Sequence, residues 1–363
     1  MRRGVALLWS GALALTLGCG DDGSTTTTSD GAGSSSTNAS TAATPVTGGS
    51  SAATPATSGQ TGGTTTDSGP GMHTDGVDSS DGGDGSSSGG EVKGCRGTFP
   101  DQWINGTRCG EPQIQVHYYD EDTVILRQSL CTSFEGPFMF LLFGEDQVLL
   151  EDTGDGGIPI ADEVYGVIDE WLAANGRDSI ELVVVNSHAH GDHLQGNGLF
   201  DGQPNTTVVS PNVGALSSFF GIGTWPDDIV SYDLGGRTID VIPIPGHQTS
   251  HIALFDHGSG LLLTGDTLYP GRLYIGDFPE YVESIERMVS HTEIQEVCHV
   301  FGTHIEMTQT PGQDYPFGAD AHPDEHELAL DRDHLVELRD AVVAMGGEPS
   351  YEAHDDFIIF PLQ

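Results

Sequence analysis

One heptapeptide, Ser187-His188-Ala189-His190-Gly191-Asp192-His193, constrains the fold more than any other stretch of the chain. It follows the β-branched run Leu182-Val183-Val184-Val185, which reads as a buried strand, and precedes Leu194 to Phe200, which reads as a helix. Side chains alternate along extended backbone, so His188 and His190 share a face and both imidazoles can approach one cation. Asp192 and His193 fall at the turn into the helix, where neighbours diverge and can serve a second cation. Three imidazoles and a carboxylate make a borderline-soft, zinc-like donor set. A surface histidine cluster or a metal-sequestering tract is the alternative, but those belong in low-complexity sequence rather than at a strand end.

Three further stretches place the same chemistry at strand ends. Pro245-Gly246-His247 follows Val241-Ile242-Pro243-Ile244, and its glycine allows close backbone approach. Thr264-Gly265-Asp266-Thr267 follows Leu261-Leu262-Leu263, and Gly302-Thr303-His304 follows Val297 to Phe301. Singly each is weak, since a lone His or Asp at a strand end is usually a turn residue. Together with the heptapeptide they supply three ligands for each of two metals and one carboxylate able to bridge.

In that order, H-A-H-G-D-H, P-G-H, T-G-D-T and G-T-H resemble the metallo-β-lactamase superfamily over about residues 112–345. The resemblance implies a four-layer αββα sandwich. Carried over by position, it implies that His188, His190 and His247 hold one metal. Asp192, His193 and His304 would hold the second, with Asp266 bridging. Asp152, in Leu150-Glu151-Asp152-Thr153-Gly154, matches the family's early aspartate, which supports the metal loop from behind. Pro245-Gly246-His247 with His251 four residues on, and Gly265 to Tyr269, resemble the glyoxalase-II-like branch more than the drug-hydrolysing lactamases. That branch uses basic side chains late in the chain to hold glutathione; here that region is acidic and lacks lysine, which argues against a glutathione thioester.

The implied cofactors are two divalent ions, zinc first, with iron or manganese as alternatives. The implied reaction is attack of a metal-bridging hydroxide on a small ester, lactone, thioester or amide, with Asp192 orienting the nucleophile. Two other readings compete: a mononuclear iron dioxygenase of sulfur compounds on the same scaffold, and a non-catalytic surface metal-binding module. Tyr269, Arg272 and Tyr274 leave the Asp266 loop and are the candidate substrate contacts; Arg272 could instead be a structural ion pair. Phe219 to Trp225 reads as a lid or as packing beneath a loop. His322, His326 and His334 read as solvated surface.

The remaining pattern alternates strands and helices. Strands are expected at 114–119, 123–128, 138–143, 147–152, 207–210, 238–244, 251–256, 261–265 and 297–301, with helices at 160–174, 280–291 and within 325–345. A helix or capping segment is expected at 213–220. Two β-rich halves interleaved with helices predict two packed sheets covered by helices.

The front of the chain does not fit this pattern. Arg2-Arg3 and the apolar run Val5 to Leu17 read as a secretory signal, and Cys19 after Thr16-Leu17-Gly18 suggests lipidation. Residues 20–92 are Ser, Thr, Gly, Ala, Pro and Asp, too poor in large apolar side chains to offset ordering entropy. They read as a disordered tether with a reach of roughly 45–50 Å. The expected organisation is a signal over 1–19, a linker over 20–92 and a catalytic domain over 93–363. The expected location is the cell envelope, with membrane contact only through Cys19. Twelve Lys and Arg stand against 54 Asp and Glu, a net charge of −42, and the only lysine is Lys93. No basic stripe exists to neutralise phosphates, which excludes nucleic acid as a partner and leaves a small molecule. Of the four cysteines besides Cys19, Cys95 with Cys109 is the expected disulfide, closing a short loop.

Overall fold

The computed structural model describes residues 95, 97–108 and 110–362; the expected signal, tether, Cys19, Lys93 and Cys109 lie outside these residues. In chain order the strands of the first half are β1 (Ile114–Tyr118), β2 (Thr123–Gln128), β3 (Phe138–Phe143), β4 (Gln147–Glu151), β5 (Glu181–Val185) and β6 (Thr206–Val208). They pair in that order, antiparallel as far as β4 and parallel from β4 to β6. A parallel neighbour requires a crossover, supplied between β4 and β5 by α1 (Ile160–Asn175). Gly176 stops that helix in the left-handed conformation, as Asn175-Gly176 predicts. The short helix α2 (Gly191–Leu194) follows β5, and α3 (Val213–Phe220) follows β6 with Asn212 capping its first turn.

The second half adds β7 (Val230–Asp233), β8 (Thr238–Pro243), β9 (Ile252–Asp256), β10 (Leu261–Gly265), β11 (Arg272–Ile275), α4 (Phe278–His291), β12 (His299–Gly302), α5 (Arg332–Ala344), β13 (Glu352–Ala353) and β14 (Ile358–Pro361). Strands β12-β10-β9-β8-β7 form the second large sheet, and β11-β14-β13 form a small third one.

Period-2 alternation decides the layering. In β3, Phe138, Phe140 and Leu142 face the second sheet, while Met139, Leu141 and Phe143 face α1. The second sheet does the same: Ile252 and Leu254 of β9 point between the sheets, and Ala253 and Phe255 point at α4 and α5. Three apolar layers therefore separate four layers of secondary structure, which is the predicted αββα sandwich. The inner strands of both sheets, such as β3, β9 and β10, are buried on both faces and read as largely apolar runs, whereas the edge strands β1, β6 and β7 are partly exposed. Each fully buried Leu, Ile or Phe contributes about 1.5–3 kcal/mol.

Several expectations are corrected. Cys95 pairs with Cys298, not with Cys109, across 203 residues. The entering segment runs beside β12, where the Phe99 ring packs on His299 and Phe301, and this brings Cys95 to Cys298. The helix expected after the heptapeptide is only one turn of α2 followed by a 3-10 turn at Asn197–Leu199. Phe220 and Ile222 are buried in the inter-sheet core, with Phe219 and Trp225 packed against it, so Phe219 to Trp225 is packing rather than a lid. His322 is buried, stacked on Tyr315 and paired with Glu325, not solvated. Strands β7, β11, β13 and β14 were not predicted.

Candidate metal centre

The C-terminal ends of β4, β5, β8, β10 and β12 open on one edge of the sandwich, and the candidate residues sit there. Two groups have ligand atoms that all lie within 4.8 Å of one another: His188, His190, His247 and Asp266, and Asp192, His193, Asp266 and His304. All seven residues singled out from the sequence are in these groups, and Asp266 belongs to both. These are the only such groups among the described residues, so His326 and His334, both paired with Asp356, form no third one.

In the first group His188 Nε2 and His247 Nε2 lie 2.9 and 3.0 Å from His190 Nδ1. His247 is aimed by its Nδ1, 2.6 Å from the Tyr274 carbonyl oxygen. In the second, His193 Nε2 is 3.1 Å and His304 Nε2 is 3.3 Å from Asp192 Oδ2. Asp266 reaches His193 and His247 at 3.5 Å through Oδ2 and His304 at 3.3 Å through Oδ1. Thr303 donates to Asp266 Oδ1, and the Glu135 carbonyl oxygen lies 2.9 Å from His304 Nδ1.

Asp152 stands behind the second group. It has φ of 67°, unfavourable for a non-glycine residue, and three contacts hold it there. Its carboxylate accepts from the Ser187 amide at 2.7 Å and the Ser187 hydroxyl at 2.8 Å, and it faces His193 Nδ1 at 2.8 Å. Two glycines make the approach possible. A side chain on Gly265 would lie 2.4 Å from His251 Nε2, and one on Gly246 would lie 2.4 Å from the Tyr281 backbone; both have positive φ.

The donor chemistry fits divalent cations. Burial pushes the pKa of His188 and His247 down, partly against the Asp266 charge, leaving neutral imidazoles suited to coordination. Burial also acts downward on His193 and His304, but Asp266 and its neighbouring carboxylates outweigh it and hold both well above the ordinary range. Burial would raise Asp192 and Asp266, yet the facing imidazoles bring both well below the usual carboxylate range. His193 Nε2 is buried with no hydrogen-bond partner among the described residues. A buried nitrogen facing Asp192 Oδ2 at 3.1 Å and Asp266 Oδ2 at 3.5 Å without a well-aligned hydrogen bond fits a donor aimed at a cation.

The candidate substrate contacts are placed differently. Tyr269 is buried with its ring on His304 and its hydroxyl on the Arg272 carbonyl. Arg272 donates to Asp314 at 2.6 Å, the Tyr315 carbonyl at 2.7 Å, Glu306 at 2.8 Å and the Tyr274 hydroxyl at 3.0 Å. Four of its five N–H donors are thus committed within the protein, so the ion-pair alternative describes it. Tyr274 is half-buried beside His247.

Two acidic groups went unnoticed in the sequence. Glu135, on the loop between β2 and β3, is half-buried at the site. Burial, joined by Asp192, Glu306 and Asp266 and opposed by His304, pushes its carboxyl up to about 7. Glu151, at the end of β4, is wholly buried with neither carboxylate oxygen hydrogen-bonded to a described residue; burial and the Asp152 charge raise its pKa well above the usual range. His251 packs on His188 at 4.6 Å between ring centroids and belongs to neither group.

A family profile described as the metallo-beta-lactamase superfamily matches residues 133–347, more than half the chain. The protein belongs to that superfamily. Curated relatives include a hydroxyacylglutathione hydrolase of Aeromonas salmonicida, 30% identical over 44% of this chain and 58% of the relative. Another hydroxyacylglutathione hydrolase, of Chromohalobacter salexigens, is 28% identical over 54% of this chain and 75% of its own. The chain spans little more than half the length of the first relatives it matches. Among solved structures, a metallo-beta-lactamase from Pontibacter korlensis has a TM-score of 0.44 at 19% identity, covering 64% of this chain and 99% of that one. The first curated relatives carry the name hydroxyacylglutathione hydrolase, the branch that the Pro245-Gly246-His247 and Gly265 to Tyr269 motifs resemble.

Proposed function

We propose that the protein is an exported hydrolase that uses two divalent cations, zinc first, to cleave a small ester, lactone, thioester or amide. The observation that carries this reading is the pair of four-residue groups sharing Asp266. His188, His190 and His247 would hold one cation and Asp192, His193 and His304 the other, with Asp266 between them. Bound there, the cations would supply hydroxide at neutral pH and a Lewis acid for the carbonyl oxygen.

The chain's own groups do the rest. Asp192, whose side chain keeps 17% exposure at the mouth, is placed to orient water and to carry its proton to the leaving group. Asp152 and the Tyr274 and Glu135 carbonyls fix the orientation of His193, His247 and His304, so the ligands need not reorganise. The first relatives are named for a glutathione thioester, which carries carboxylates. Arg272 is already committed to Glu306 and Asp314, so we place this chain's substrate outside that compound. Export and attachment through Cys19 rest on residues 1–19 alone.

A panel of ester, lactone, thioester and phosphodiester probes, run with the full chain before and after chelation, tests the reading. Turnover of a carboxylic ester, lactone or thioester that stops with chelator and returns with zinc is expected. One iron per chain with oxygen consumption would instead establish the dioxygenase.

A further inference from the structure

Most carboxylates at the rim of the metal centre have a direct partner in the protein. Asp192 and Asp266 face imidazoles of the proposed ligand sets. Glu306 and Asp314 are paired with Arg272, and Glu325 with Arg127. The Glu135 carboxylate makes no hydrogen bond or ion pair with any described residue, although its own backbone carbonyl holds His304. That contact, 2.9 Å from the Glu135 carbonyl oxygen to His304 Nδ1, puts the half-buried residue at the rim of the site.

Beside it the rim is aromatic. Phe134, the preceding residue, is 41% exposed and Phe317 is 71% exposed, and their rings meet edge to face at 5.3 Å. An unpaired acid next in the chain to an open aromatic pair is chemistry that receives an ammonium group, whose own charge favours the ionised carboxylate. An anion finds nothing comparable, because the guanidinium groups of Arg127 and Arg272 are already paired.

We propose that Glu135 is a specificity-determining residue, and that it selects acyl substrates bearing a positive charge over neutral ones and neutral ones over anionic ones. This rests on the hydrolase reading above. The amine-bearing part of the substrate lies against Glu135 and the Phe134–Phe317 pair while its carbonyl reaches the metal centre.

Three thioesters of similar size test this: acetylthiocholine, its neutral neohexyl isostere, and acetylthioglycolate. In each, water adds to the carbonyl carbon, the carbon–sulfur bond breaks and the thiol departs with a proton, so thiol release reports all three alike. The zinc-loaded full chain is expected to show kcat/KM falling in that order, by about tenfold at each step at low ionic strength, and compressing as salt rises. Glu135→Gln should bring the three within about threefold of one another and Glu135→Lys should reverse the order. A purely structural role would lower all three together. Calorimetry gives a second readout: phenethylammonium should bind the wild-type chain, and at least about tenfold more weakly to Glu135→Gln. Cleavage without charge preference, or a preference that survives Glu135→Gln, would overturn the proposal alone. Cleavage of none of the probes, nor of any in the wider panel, would overturn the hydrolase reading and this inference together.

Discussion

Buried charge is handled in opposite ways at the two edges of the sandwich. At the edge where β8 begins, Arg237 uses all five N–H donors on Asp256, Thr123 and the carbonyls of Asp122 and Phe143. Burial would lower the Arg237 pKa, but Asp256 more than restores it, and the cluster closes on itself. At the edge where β8 ends, imidazoles and carboxylates crowd together with no Lys or Arg among them, and His193 Nε2 faces Asp192 and Asp266 without a well-aligned hydrogen bond to any described residue. One cluster is complete as protein. The other is completed only by cations from outside, and this difference separates a structural clamp from a reactive site.

Substitutions should divide along that line. The largest effect is on turnover: His188→Ala or Asp192→Ala should cut kcat/KM at least about 10³-fold, or ~4 kcal/mol of barrier, and leave a folded chain. Near wild-type activity in either variant, with normal circular dichroism, would reject the assignment. Arg237→Met should do the reverse. Leaving Asp256 buried without its partner costs about 3–5 kcal/mol in urea unfolding, while the specific activity of the folded fraction stays close to wild type.

Cys298→Ser removes a crosslink spanning 203 residues and should cost about 2–5 kcal/mol, read as a lower denaturation midpoint. An unchanged midpoint in non-reducing buffer would show that the bond does not form. The smallest effect, and the only gain, is at Glu151. Its folded pKa is raised, so its contribution to stability is complete below the unfolded value of about 4.3 and is lost as pH rises toward the folded value. Glu151→Leu should therefore stabilise by about 1–3 kcal/mol at neutral pH, with the advantage shrinking as pH falls toward 4. Parallel Tm–pH curves for the two proteins would contradict this.

The metal edge was legible in the sequence because its chemistry is local. His188, His190, Asp192 and His193 lie within six residues, and His247, Asp266 and His304 each follow an apolar strand that fixes where they emerge. The sandwich was legible for a related reason: strands buried on both faces, such as Phe138–Phe143 and Leu261–Gly265, leave continuous apolar runs. What escaped notice depends on distant partners. β11 exists because β14 returns 86 residues later to pair Arg272 with Ile358, and β13 is two residues long. Cys298 meets Cys95 for the same reason, while loop-closure entropy favours the nearer Cys109 in any local reading. Glu135 and the commitment of Arg272 were invisible because loop side chains are placed by the strands around them, not by their neighbours in sequence.

The central claim is that Asp266 links two cation sites. Plasma mass spectrometry of the dialysed full-length chain, beside Asp266→Ala, tests it most directly. Two divalent cations per wild-type chain, with a clear loss in the variant, is the predicted result. No bound metal, or a content that Asp266→Ala leaves unchanged, would contradict it.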